Sequence, residues 1–354
     1  MSSEEMTYRD RLFAAFERDT YDRVPCPGVT QTGTVDLMEA SGAYWPDAHR
    51  DAEKMAKLAW AAYEHAGLEG IRVPFIIYTE ALAVGVELHK WAKDNMPMVK
   101  KYPFSSIEEA AEKLEVPDPE KAESMRVVLD AIRILRPKCD AEKLPLTGHA
   151  VGAFLLAFGV VDFMKAMIAF KKDPESFKGV WEKTRELAIT WSEAMIDAGV
   201  DIVFYNCAAL GNFRPDDYEK YGFSVDRECI RKIKEKGAYV LVHVCSDIRP
   251  VLDQVVKLGA DAISVSEVVK MSEIRERVGD DVTLMGNVNQ VFTLIKRGPE
   301  EVMAEAKACI EAGTDILAPG CGFGPKTPLA NMRAMVEAAK KYGHLARLAS
   351  GGSA

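Results

Sequence analysis

A chain of 354 residues, 48% hydrophobic and 28% charged with a formal net charge of −9, has the make-up of a globular protein. The acidic balance leaves no basic footprint for nucleic acid, and no window holds the 18 or so uninterrupted apolar residues of a membrane span. The N-terminal MSSEEMTYRDR lacks the apolar core of a signal peptide, so a cytoplasmic protein without nucleic-acid or membrane partners is expected.

Apolar runs rich in Val and Ile recur along the chain. In order they are VPCPGV at 24, EGIRVPF at 69, LPLTGHA at 144, VDIVFYN at 200, AYVLVHV at 238, ADAISVS at 260, VTLMGNV at 282 and TDILAPG at 314. Between them lie charged stretches with helical periodicity, such as CIRKIKEKG at 229 and EEVMAEAKACIEAG at 300, each ending in a Gly able to cap a helix. Continuous apolar strands alternating with helices predict a parallel sheet covered on both faces. Eight such units predict a single (β/α)8 TIM barrel. An open doubly wound sheet is the alternative, but TQTGTVDLME follows the first run where a G-x-G-x-x-G turn is expected. The polar, Pro-bearing stretch around 85–140 reads as an insertion in one barrel domain spanning 1–345. Residues 346–354, ending LASGGSA, have a linker's composition.

In such barrels the chemistry gathers at the carboxyl ends of the strands. The fifth predicted strand ends in LVHVCSD, with His243 and Cys245 two positions apart and therefore on one side of a strand. The fourth ends in Asn206 and Cys207, the sixth in Glu267 and the seventh in Asn287; the eighth runs into PGCGFGPKTP, with Cys321 between two glycines. Seven cysteines, an odd number, argue for thiols or metal ligands over a disulfide framework. A lone buried Cys usually packs and a strand-end His is usually just hydrogen-bonded, so H-x-C by itself is weak. His243, Cys245 and Cys321 at one barrel mouth suit a tetrahedral Zn²⁺ with an open fourth position, which Glu267 is expected to fill at rest. Two weaker patterns fail: GCGFGPKT has Pro325 where a phosphate loop needs Gly, and PDAHRDA has Ala52 where a corrinoid-binding D-x-H-x-x-G needs Gly.

The segments GVTQTGTVDLMEASGAYWPDAH, LEGIRVPF, HVCSD, MGNV and DILAPGCGFGPKTPLANM resemble the zinc-dependent corrinoid methyltransferase branch of the uroporphyrinogen decarboxylase superfamily, over about residues 7–342. That branch holds the methylcobamide:coenzyme M methyltransferases and their methyl chloride and methoxy-substrate relatives. The resemblance implies a uroporphyrinogen decarboxylase-like barrel, a zinc on His243, Cys245 and Cys321, and methyl exchange with a corrinoid (cobalamin) carried by a separate partner protein. The other substrate would be a small methyl donor or a thiol acceptor. The chain departs from the coenzyme M enzymes in reading FYNCAAL where an Asp-Pro pair is expected, and HAVGAFLLAFG without a Gly-Pro. Tyr205, His149 and Phe154, with Phe204, predict an aromatic mouth, and with Asn206 and Asn287 they form the expected substrate contacts. No Arg or Lys is expected at these strand ends to hold a sulfonate. The reading therefore leans to O-demethylation of a methoxylated aromatic, with thiol methylation as its rival. A metal-free decarboxylase is the weaker alternative: no Arg occurs between Arg23 and Arg50, where the decarboxylase has its porphyrinogen-binding arginines.

Overall fold

A computed structural model describes residues 6–344. Seven parallel strands follow one another around a barrel: β1 (Ile71–Val73), β4 (Leu146–Val151), β5 (Ile202–Asn206), β6 (Tyr239–Val244), β7 (Ala262–Val265), β8 (Leu284–Val288) and β9 (Ile316–Pro319). β2 (Glu87–Leu88) and β3 (Val99–Lys101) form a small antiparallel ribbon apart from the barrel. Of the stretch 85–140, the ribbon and the helix Ile107–Lys113 are extra elements, whereas Glu123–Glu142 is a crossover helix between β1 and β4. The predicted tail 346–354 lies outside the described residues.

VPCPGV, expected as the first strand, closes the barrel without being a ladder strand. Pro25 and Pro27 have no N–H to give, so regular pairing on both sides is impossible. The segment is held by single bonds instead: Leu317 N–H donates to Pro25 O (2.9 Å) and Glu69 N–H to Cys26 O (3.1 Å). The Glu69 carboxylate then accepts the Cys26 N–H at 3.0 Å and pairs with Arg23, both side chains being buried. VPCPGV thus bridges β9 and the start of β1.

Side-chain alternation divides the core in two. Ile202, Phe204, Leu241, Ala262, Met285, Ile316 and Ala318 point into the barrel, where Leu12, Ala15 and Phe16 of the helix Tyr8–Glu17 plug the amino end. Val203, Tyr205, Val240, Val242, Val244, Ile263 and Val265 point outward into the shell beneath the helices. The carboxyl end is left for polar side chains. Among the described residues no single helix is long and apolar enough to cross a membrane.

Glu80, on the short helix after β1, is fully buried. One carboxylate oxygen accepts the Val151 N–H at 2.7 Å and the other has no partner. Burial pushes its pKa from 4.5 up to about 7. The unfolded chain ionises this group from pH 4.5 upward while the fold resists until about 7, so its contribution to stability is present below 4.5 and lost as pH rises through 7. At about 1.4 kcal/mol per pH unit the loss is roughly 3 kcal/mol. Glu80→Gln keeps the acceptor without the charge; it is expected to unfold at higher denaturant than wild type at pH 8 and to lose that advantage by pH 4.5. An advantage that stays constant across this range would refute the assignment.

Candidate metal centre

β6 carries two candidate ligands. Alternation puts His243 inside the barrel, and Cys245 follows on the same side as the strand ends. The end is pinned to its neighbour: Cys207 N–H donates to His243 O (2.8 Å), and the N–H groups of Cys245 and Ser246 both donate to Ala208 O (3.1 and 3.0 Å). His243 is 2% exposed, and its Nδ1 lies 2.9 Å from the Oγ of Ser264, its register partner on β7. Its Nε2 has no partner. With Nδ1 engaged, Nε2 can present a buried lone pair, as in a metal-ligating histidine.

Cys321 reaches the same place from β9. Gly320 N–H donates to Val288 O (2.9 Å), and Phe323 N–H donates to Gln31 O (2.8 Å), fixing the turn against the first segment. The flanking glycines are needed for close approach, since neither has positive φ. A Cβ on Gly320 would lie 2.5 Å from Glu267 N, and one on Gly322 would lie 2.6 Å from Gln31 Cβ.

The Nε2 or Nδ1 of His243 and the Sγ atoms of Cys245 and Cys321 lie within 4.8 Å of one another, a grouping of metal-ligand atoms found nowhere else among the described residues. A hydrogen bond from Cys245, aided by His243, holds the Cys321 thiol well below its usual range. The same contact, with burial, pushes Cys245 up. A cation bound between the two sulfurs would take the place of thiol protons. Two sulfurs and an unpartnered imidazole nitrogen fit a borderline-soft divalent ion.

Glu267 stands beside this cluster and outside it. Its oxygens accept from Ser266 Oγ (3.2 Å) and Gln290 N–H (3.4 Å), and its charge helps raise Cys245. A cavity of about 280 Å³ opens over the three ligands, lined also by Thr30, Arg72, Phe75, His149, Phe204 and Asn206. Asn206 links the ring to the backbone: its Nδ2 donates to His149 Nε2 (3.2 Å) and its Oδ1 accepts the Ala208 N–H (3.0 Å). Phe204 lies between the rings of His149 and His243, at 6.0 and 5.2 Å. A second cavity of about 600 Å³ lies between the ribbon region and the helices Ala52–Ala66 and Glu123–Glu142, and carries no such ligand cluster.

Three expected substrate contacts fall elsewhere. Tyr205 follows the inward Phe204, so alternation turns it outward, where its hydroxyl donates to buried Asp226 (2.8 Å) and accepts the Ala153 N–H (2.8 Å). Phe154 sits in an outer aromatic cluster with Phe158, Trp181 and Phe213. Asn287 spends its Nδ2 on Ser266 O and Val269 O (3.1 and 2.9 Å), bracing the loop after β7. The aromatic mouth that favoured a methoxylated aromatic thus loses two of its four rings. Conversely Arg72, the middle residue of β1, lines the cavity although no cation was expected there. A charge inside the apolar run EGIRVPF was the available signal.

The model of the uroporphyrinogen decarboxylase (URO-D) family matches residues 7–342. The chain belongs to the uroporphyrinogen decarboxylase family. Within the family it falls among the methyltransferases. The methylcobamide:CoM methyltransferase MtaA of Methanosarcina barkeri is 34% identical over 343 residues, covering 96% of this chain and 99% of that protein. The methylcobamide:CoM methyltransferase MtbA of Methanosarcina acetivorans is 33% identical, with the same coverage. A solved methyltransferase from Methanosarcina mazei superposes with a TM-score of 0.89 at 32% identity, over 96% of this chain and 99% of the other. The chain is an enzyme of this fold, and nothing in these relatives favours O-demethylation.

Proposed function

We propose that the chain transfers a methyl group from the corrinoid of a separate protein to a small thiol held at a zinc centre. The observation that carries this reading is the convergence of His243, Cys245 and Cys321 on one cavity, with the histidine nitrogen unpartnered. The relatives named for methylcobamide and CoM supply the two substrates, and a thiol acceptor agrees with the loss of Tyr205 and Phe154 from the cavity wall.

Bound there, Zn²⁺ would supply the Lewis acidity that keeps a coordinated thiol as its nucleophilic thiolate at neutral pH. His243 offers Nε2 while Ser264 fixes the ring, and the two cysteines offer their sulfurs. Glu267, which stands beside the cluster, is the carboxylate that would serve as its resting fourth ligand. Phe75 and Phe204 line the approach and limit water around the sulfur. In the transfer the thiolate sulfur forms the S–C bond as the methyl group leaves cobalt, and the electron pair of the broken bond stays with the corrinoid.

The test is metal analysis with zinc-edge absorption on the purified protein, alone, with 2-mercaptoethanesulfonate and with guaiacol, alongside thiol-dependent demethylation of free methylcobalamin. One zinc per chain that gains a sulfur from the thiol, together with thiol-dependent loss of methylcobalamin, is the expected result. A shell that ignores the thiol and responds to guaiacol would overturn the reading in favour of demethylation.

A further inference from the structure

The second cavity, of about 600 Å³, lies across one chain segment from the metal-side cavity. After β1 the residues divide between the two spaces: Phe75, Ile77 and Tyr78 line the metal-side cavity, and Pro74, Ile76 and Thr79 line the second. The floor of the second cavity is apolar, formed by buried Met55, Ile76 and Val128. One wall is aromatic. His49 stands among Trp91, Trp45 and Phe75, with ring centres at 4.5, 5.3 and 5.6 Å, and both its ring nitrogens are shielded from water without a partner. Burial, with Arg50 close by, draws its pKa down to about 3, so the imidazole is neutral. The rim is cationic. Arg50 and Lys90 line it, both exposed, and among the described residues neither enters an ion pair or a side-chain hydrogen bond. The single acid on the wall, Glu123, sits in the first turn of the helix Glu123–Glu142, where the helix dipole offsets its charge.

A chain of net charge −9 here holds two unpaired cations beside an apolar, ring-lined space, the complement of an anion with a flat apolar body. We propose that this cavity is a second ligand site, separate from the metal centre, that takes a planar aromatic anion: the ring lies against Trp91 and His49 above the apolar floor, and Arg50 and Lys90 hold the anionic group. The volume falls within the roughly 300–1,000 Å³ of small-molecule sites. Ring stacking supplies contact area, and a guanidinium donates charge-assisted hydrogen bonds to a carboxylate or a phosphate. A polar atom on the ligand would also satisfy the orphaned imidazole, whose desolvation is uncompensated in the free chain. Aromatic acids and mononucleotides share this chemistry and are the two sources to be told apart. The assignment is independent of the proposed methyl transfer, since none of its residues belongs to the ligand cluster.

The test is calorimetric titration of the full-length chain, with and without zinc, using 2-naphthoate, AMP, neutral 2-naphthalenemethanol and inorganic phosphate. Wild type is expected to bind at least one of the two aromatic anions about tenfold or more tightly than the alcohol or phosphate, and to do so whether or not zinc is present. The double variant Arg50→Gln/Lys90→Gln is expected to bring that anion within about twofold of the alcohol. Both side chains are exposed and unpaired, so its unfolding midpoint is expected to match wild type. Arg72→Gln is expected to leave the affinity unchanged, because Arg72 lines the metal-side cavity. Tighter binding of AMP would identify a phosphate ester and tighter binding of naphthoate a carboxylate, and either supports the site. Wild type that binds neither aromatic anion, or that binds the alcohol or phosphate as tightly, would overturn the proposal. So would a preference that survives the loss of both cations. A preference lost in Arg72→Gln instead would place the anion in the metal-side cavity and overturn it equally.

Discussion

Cys321→Ala is expected to bring the metal content of the purified chain from one ion to near zero and to lower thiol methylation by roughly a thousandfold or more, well beyond the 10–100-fold typical of an outer-shell change. The reason is geometric. Cys321 is the proposed ligand that comes from the far end of the chain, and without it His243 and Cys245 would offer two donors on one strand end, too few for a closed site. The residue sits in a turn beyond β9, so the fold is expected to persist, with circular dichroism and unfolding midpoint close to wild type. His243→Ala is expected to act in the same way. Metal content that stays near one per chain in both variants would remove the centre from this place in the barrel.

Glu69→Ala is expected to cost roughly 3–5 kcal/mol of unfolding free energy, the usual result of taking one partner from a buried ion pair. Glu69 is 1% exposed and does two jobs where the barrel closes. It pairs with Arg23, and with Arg11 at 3.9 Å, and it accepts the Cys26 N–H. Its removal takes the carboxylate from between two buried guanidinium groups and leaves an N–H of the proline-bearing segment without its acceptor. Denaturant titration is the measurement, and a change under about 1 kcal/mol would mean that the closure does not depend on this residue. Since Glu69 lies at the amino end of β1, metal content in the folded variant is expected to be unchanged.

The barrel was legible because its strands are continuous apolar runs buried on both faces: β1 and β5 to β9 fall inside the predicted runs, and β4 overruns its run by one residue, Val151. VPCPGV was legible as a barrel element but not as an irregular one, although its two prolines already excluded a full ladder. His243, Cys245 and Cys321 could be named because a period of two and a strand-end rule suffice to bring them together. The substrate contacts were harder. Phe204 and Tyr205 are adjacent and similar, and one residue of register decides which enters the cavity and which binds Asp226 beneath the helices. Phe154 and Asn287 depend on how loops pack after the strands end, which periodicity does not encode. Arg72 was overlooked because a charge in the middle of an apolar strand was read as part of the strand, whereas its meaning comes from the cavity around it.

The modest size of the metal-side cavity bears on timing as well as on selectivity. A space of about 280 Å³ admits a short thiol but not a tetrapyrrole, so under the proposed reaction the methyl carbon is met at the threshold of the barrel. Each turnover then requires two macromolecules to collide in the right orientation and to part again. The velocity inside a cell is set by encounter frequency and residence time, which respond to partner abundance and ionic strength, as much as by the intrinsic reactivity of the sulfur.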